Sequence, residues 1–144
     1  MKIVKSKSKL KFLKVLKGIK RCVAENNDYL SVRENQKWRN YNFYAQEGGK
    51  VIGGATCTAR FGWLYVDILY VDASARGGGV GTELIRTVEQ FARKKGLCGV
   101  YLETFEFQAR PFYEKMGFEM YGKLEDLPPG SAMYMMKKRF ETAT

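Results

Sequence analysis

Four glycines fall within five residues, Gly77, Gly78, Gly79 and Gly81, with Arg76 directly ahead of them and Thr82 directly behind. The segment before them, "GWLYVDILYV", is the most apolar run in the chain, and the segment after them has helical spacing. A strand therefore feeds a glycine loop that feeds a helix, and the chemistry such a junction performs is anion binding. A diphosphate needs several backbone N–H donors aimed at one point with no side chain in the way. Glycines permit the positive-φ turns and the close approach this requires. A helix starting at about Gly81 adds its uncapped N–H groups and the positive end of its dipole, and Arg76 adds a full charge. Two common phosphate loops do not fit. A nucleoside-triphosphate loop needs a lysine where Thr82 stands, and a dinucleotide loop needs its third glycine where Thr82 or Leu84 stands.

Composition restricts the remaining chemistry. With 144 residues, 45% of them hydrophobic and 14% aromatic, the chain is expected to form one domain over residues 1–144. It has no histidine, which excludes Ser-His and Cys-His nucleophile pairs and every imidazole base or ligand. Cys22, Cys57 and Cys98 are far apart and form no CxxC pair, so neither a disulfide framework nor a metal site is expected. No apolar run reaches the roughly 18 residues of a membrane span, and a reduced, cytoplasmic setting is expected.

The net charge of +10 is concentrated at one end. Residues 1–24 hold eight lysines and Arg21 with no acid, whereas the rest of the chain is almost neutral. Leu10, Leu13, Leu16, Ile19 and Val23 recur at helical spacing, so the basic segment of about residues 1–26 reads as a helix with a solvated lysine face. A basic arm for nucleic acid, an anionic membrane or an acidic partner is the alternative.

The elements that must position the loop follow from periodicity and turn signals. A short strand at 2–5 and a helix at 8–26 come first, then a polar segment at 27–41 with room for one short helix. Strands over 42–47, 50–61 and 62–71 form an antiparallel meander with turns at Gly48-Gly49 and Gly62. After the loop come a helix over 81–95 that ends at Gly96, a strand over 97–105 and a short helix over 109–116 that ends at Gly117. Two last strands over 118–124 and 132–140 complete the order. The fold class is α/β in the mixed (α+β) sense: a mixed central sheet flanked by helices.

Arg76-x-x-Gly79-x-Gly81 resembles the [QR]xxGx[GA] signature of the GCN5-related N-acetyltransferase (GNAT) superfamily. "ARPFYEKMGF" resembles the family's later helix-to-strand segment, at the family's distance from the first motif. The resemblance implies a GNAT fold in which splayed strands form a cleft for acetyl-CoA, and transfer of acetyl to a primary amine by direct attack, without a metal. It implies that Leu69 and Val71 pair with the pantetheine arm, and that the Leu69 N–H stabilises the oxyanion. Arg76, Gly77, Gly78, Gly79, Val80, Gly81 and Thr82 would hold the diphosphate, with Phe107, Ala109 and Phe112 against the cofactor. Tyr113 would protonate the departing thiolate. The acceptor, a small-molecule amine or a peptide amine, is left unspecified, and a homodimer is left open. A non-catalytic acyl-CoA-binding or sensing module is the alternative function.

An amine arrives mostly as ammonium and must lose a proton before it attacks. Asp67, the only charge in "WLYVDILYV", is the first candidate base, and Glu103 on the following strand is the second. Strict alternation would set Asp67 and Leu69 on one face, provided any bulge lies beyond them. Pairing of either acid with a nearby cation is the structural alternative.

Overall fold

In the computed structural model, residues 1–141 are described. The chain divides into two compact units, Met1–Lys37 and a second from Trp38 onward.

The first unit is helical. Helix α1 (Lys9–Asn26) starts where Ser8 accepts a hydrogen bond from the Lys11 N–H, and a single turn, α2 (Asp28–Ser31), follows with Asn27 capping Leu30. The lysine face is present as expected, but no side chain of α1 is buried, and Leu10 and Ile19 are 80% and 54% exposed. The short strand expected at 2–5 is absent. Its apolar pair, Ile3-Val4, lies between lysines, and no strand pairs with it.

The second unit holds a six-stranded sheet of β1 (Arg39–Glu47), β2 (Lys50–Arg60), β3 (Trp63–Val71), β4 (Gly99–Phe105), β5 (Glu119–Glu125) and β6 (Ala132–Arg139). Their spatial order is β1-β2-β3-β4-β6-β5, and only the β3–β4 pair is parallel. Helix α3 (Val80–Lys94) crosses between β3 and β4, and α4 (Arg110–Lys115) links β4 to β5. Both helices end as glycine predicts. Gly96 (φ 70°) and Gly117 (φ 87°) reverse the chain, and the next N–H groups, of Leu97 and Phe118, bond back to Ala92 and Tyr113.

The core lies on one face of the sheet. Leu64, Val66, Val100, Leu102, Tyr134 and Met136 alternate inward along their strands and meet Ile85, Val88 and Ala92 of α3 and Tyr113 of α4. One charged pair is enclosed with them. Lys138 donates to both carboxylate oxygens of Glu89 at 2.9 Å and to the Met116 carbonyl at 2.8 Å, joining β6, α3 and the end of α4.

Candidate active site

Strands β3 and β4 are paired only from Leu64/Val100 to Val66/Leu102 and then part. The cause is a bulge. Against β2, Val66 faces Cys57 and Ile68 faces Thr56, so Asp67 is an extra residue. The alternation expected for Asp67 and Leu69 is thereby broken. Asp67 is exposed on the side carrying Tyr65, whereas Leu69 packs against the core. Nothing in the sequence marks the position of the bulge, since neither glycine nor proline stands there.

Beyond the bulge the ladder fixes the direction of the backbone. The Asp72 N–H donates to the Ile52 carbonyl at 2.8 Å. Antiparallel pairs alternate between bonded and non-bonded, so Tyr70 and Ile68 bond to β2 while Leu69 and Val71 turn their N–H and C=O groups toward the gap. The Val71 carbonyl accepts from Arg76 Nε at 3.1 Å, which ties the arginine across the mouth of the loop.

The gap opens into a cleft of about 1050 Å³. At one end are Arg76, Gly77, Gly79 and the first turn of α3, with Val80, Gly81 and Thr82. Gly77 (φ 79°) and Gly79 (φ 85°) hold left-handed turns that L side chains rarely adopt, whereas Gly78 and Gly81 do not. The helix starts at Val80 rather than Gly81, with no side-chain cap, so its first N–H groups are free to meet an anion. An arginine, uncapped N–H groups and two glycines in left-handed turns form a donor set that fits a diphosphate. Backbone N–H groups in a strand-wide gap likewise fit the amides of an extended pantetheine.

Along the cleft lie Leu69, Val71, Ala109, Phe112 and Tyr113, and at its other end Asp67 and Glu103. Tyr113 is 7% exposed, and burial pushes its hydroxyl up to about 12, so it keeps its proton throughout the working pH range. Asp67 accepts from the Thr58 hydroxyl at 2.7 Å and Glu103 from the Tyr65 hydroxyl at 3.3 Å. Among the described residues, neither acid forms an ion pair, so the structural alternative of a cation partner is not realised. Burial, then Glu103, pushes Tyr65 up to about 12.

Two expected residues do not line the cleft. Gly78 is not among the residues lining the cleft, and an added Cβ there would meet the Ala75 carbonyl at 3.5 Å. Phe107, 67% exposed, is stacked on Phe105 with ring centroids 5.1 Å apart, because the chain turns away after β4. Sequence reasoning missed Tyr65, Ile68, Tyr70, Ala75, Thr104, Phe105, Gln108 and Met133 in the lining. Alternation from Asp67 back along β3 could have found Tyr65. Gln108 is recognisable only in three dimensions, where its side chain accepts from the Phe105 N–H at 3.0 Å.

No helix among the described residues is long and apolar enough to cross a membrane. Residues 14–118 match the acetyltransferase (GNAT) family. The chain is 40% identical over 93 residues to blasticidin-S acetyltransferase of Streptomyces morookaense, covering 64% of this chain and 68% of that protein. It is 32% identical over 119 residues to an IAA acetyltransferase of Azospirillum brasilense, covering 80% and 78% respectively. The crystal structure of an acetyltransferase from Bacillus cereus superposes with a TM-score of 0.81 at 30% identity, over 97% of this chain and 99% of that one. The splayed strands, the glycine loop at a helix start and these matches agree: the chain belongs to the acetyltransferase (GNAT) family and is an acetyl-CoA-dependent N-acetyltransferase.

Proposed function

We propose that this single cleft transfers the acetyl group of acetyl-CoA to a primary amine by direct attack. The observation that carries the reading is the gap between β3 and β4, into which Leu69 and Val71 turn their backbone and which ends on the glycine loop. Acetyl-CoA supplies the activated acyl group. The N–H groups at the start of α3, with Arg76, hold its diphosphate, and Val71 and Leu69 pair with the extended arm. The Leu69 N–H stabilises the negative charge that develops on the carbonyl oxygen; removing such a donor typically costs about 10²–10³-fold.

Asp67 or Glu103 accepts the proton that the acceptor ammonium must lose. The amine nitrogen then bonds to the carbonyl carbon as the C–S bond breaks. Tyr113, kept neutral by burial, gives its proton to the departing sulfur, and the second proton shed by the new amide nitrogen restores the tyrosine hydroxyl, so product leaves as the neutral amide and the free thiol. No covalent enzyme intermediate is required, consistent with a chain that has no histidine.

The test combines binding and turnover. CoA at about 100 times its Kd should stabilise the fold by about 2.7 kcal/mol, and Gly79→Val, which forces a side chain into a left-handed turn, should abolish that gain. Thiol release from acetyl-CoA should then depend on an added amine, in a panel that includes blasticidin S. Stabilisation by CoA with no acetylation of any amine would leave a non-catalytic acyl-CoA module. Stabilisation by NAD or a nucleoside triphosphate instead of CoA would remove the reading altogether.

A further inference from the structure

A second cavity, of about 240 Å³, lies on the sheet face away from α3 and is lined by Arg60, Phe61, Trp63, Tyr101, Tyr121 and Lys137. It adjoins the acidic end of the reaction cleft. Tyr101 and Glu103 are two residues apart on one face of β4, and the Tyr101 ring lies 5.0 Å from that of Tyr65, which donates to Glu103. The charge of Glu103 also reaches Tyr121. Resting on the transferase reading above, we propose that this cavity is the acceptor's tail subsite and that it selects a primary amine carrying a flat, uncharged ring.

The layout of the face gives the reasons. Successive outward residues on a strand are about 7 Å apart, so the acidic row of Asp67 and Glu103 and the aromatic row of Tyr65 and Tyr101 are separated by about that distance. A nitrogen at the acids places the atoms about 7 Å behind it among aromatic rings. The volume is smaller than the about 300–1,000 Å³ of a whole ligand site, so it suits one ring rather than a complete substrate. Arg60 is fixed in place, with its guanidinium 4.7 Å from the centre of the Tyr65 ring and 5.1 Å from that of Trp38, while donating to the Tyr101 hydroxyl at 2.5 Å. The guanidinium, also 5.5 Å from the centre of the Tyr101 ring, sets one cation in an otherwise aromatic wall. Lys137 is paired with Glu119 at 3.7 Å and lies 5.8 Å from the centre of the Tyr121 ring, so Arg60 is the cation that faces the cavity. A tail with its own ammonium would therefore meet the Arg60 guanidinium, whereas a neutral ring meets aromatic edges and a stacked guanidinium. The amine end is selected by acids and the tail end by rings and a cation. This polarity disfavours a diamine.

Three acceptors of similar reach test the proposal: 3-phenylpropylamine, pentylamine and 1,5-diaminopentane, each assayed by thiol release. The phenyl compound should have a kcat/KM about tenfold above pentylamine, equivalent to about 1.4 kcal/mol, and the diamine should fall at or below pentylamine. Tyr121→Ala should bring the phenyl-to-pentyl ratio toward one, chiefly by raising KM for the ring-bearing amine. In Trp38→Phe, the fluorescence of Trp63 should respond to 3-phenylpropylamine and not to pentylamine, which keeps the test decisive if Tyr121→Ala does not fold. A wild-type ratio near one, a diamine as good as the phenyl compound, an intact ratio in folded Tyr121→Ala, or a silent Trp63 would each overturn the subsite while leaving the transferase reading standing. Thiol release with none of these three amines would overturn the subsite, and the transferase reading would fall with it only where the wider panel also gives no acetylation in a protein still stabilised by CoA.

Discussion

The two faces of the sheet are built from the same strands and could hardly differ more. Toward α3, the alternation of β3, β4 and β6 presents Leu64, Val66, Val100, Leu102 and Met136, all at most 4% exposed, together with one charged pair held by three hydrogen bonds. On the other side the intervening residues are Tyr65, Tyr101, Glu103 and Lys137, none of them fully buried. Adjacent residues of β6 make the contrast sharpest. Lys138 is locked between Glu89 and a backbone carbonyl, while Lys137 reaches Glu119 at 3.7 Å from a partly exposed position. One face stores stability, and the other keeps polar groups solvated enough to be exchanged for a substrate. The catalytic cleft is where the bulge at Asp67 lets the two faces communicate.

The largest effect expected from this contrast is on stability. Lys138→Ala strands a mostly buried Glu89 carboxylate and should cost about 3–5 kcal/mol. Lys137→Ala, one residue away on the other face, should cost no more than about 1 kcal/mol. Urea midpoints of the two variants measure the difference directly, and equal costs would break the comparison. Tyr113, which belongs to the buried face but reaches the cleft, comes next. Tyr113→Phe should lower kcat roughly 10- to 10⁴-fold with CoA affinity little changed, measured by acetylation kinetics beside CoA titration.

Alkaline stability follows from the same burial. Tyr113 and Cys57 have folded values raised from 10.0 and 9.0 to about 12, so their contribution is complete below pH 9 and is lost as pH rises toward 12. Tyr113→Phe should shallow that decline in a series of melting temperatures over pH 8.5–11.5. The smallest effects belong to the exposed face. Asp67→Asn should remove the acidic limb of the kcat/KM profile, with activity recovering at high pH where free amine is abundant. If Glu103→Gln abolishes that limb and Asp67→Asn does not, the proton goes to Glu103.

Much of this architecture is legible residue by residue. Gly48-Gly49 and Gly62 separate the meander, Gly96 and Gly117 end two helices, and Arg76 with Gly79 and Gly81 marks the loop that opens α3, because each of these requirements is local. The family resemblance implied a bulge in this strand, but its position at Asp67 was not legible, since an extra residue in one strand is defined only against its partner, and nothing in "YVDIL" is unusual in isolation. Nor could the spacing show that β6 separates β4 from β5, because that pairing joins residues far apart in sequence. The tail subsite was missed for a similar reason. Arg60, Tyr101, Tyr121 and Lys137 come from four strands, and only the sheet assembles them.

The position of β6 also bears on how the chain reaches its native state. Neither β4 nor β5 pairs with the other, and each finds β6 beside it. During vectorial synthesis the meander, the glycine loop and α3 can form as soon as they emerge, but β4 has only its short parallel contact with β3 until residues 132–139 arrive. Long-range pairing of this kind is slow and leaves strand edges exposed while it waits. The wall of the cleft that carries Glu103 is thus among the last parts of the molecule to be secured, and a nascent chain halted before Ala132 would present β4 as an unpaired edge to whatever chaperone or neighbour is nearby.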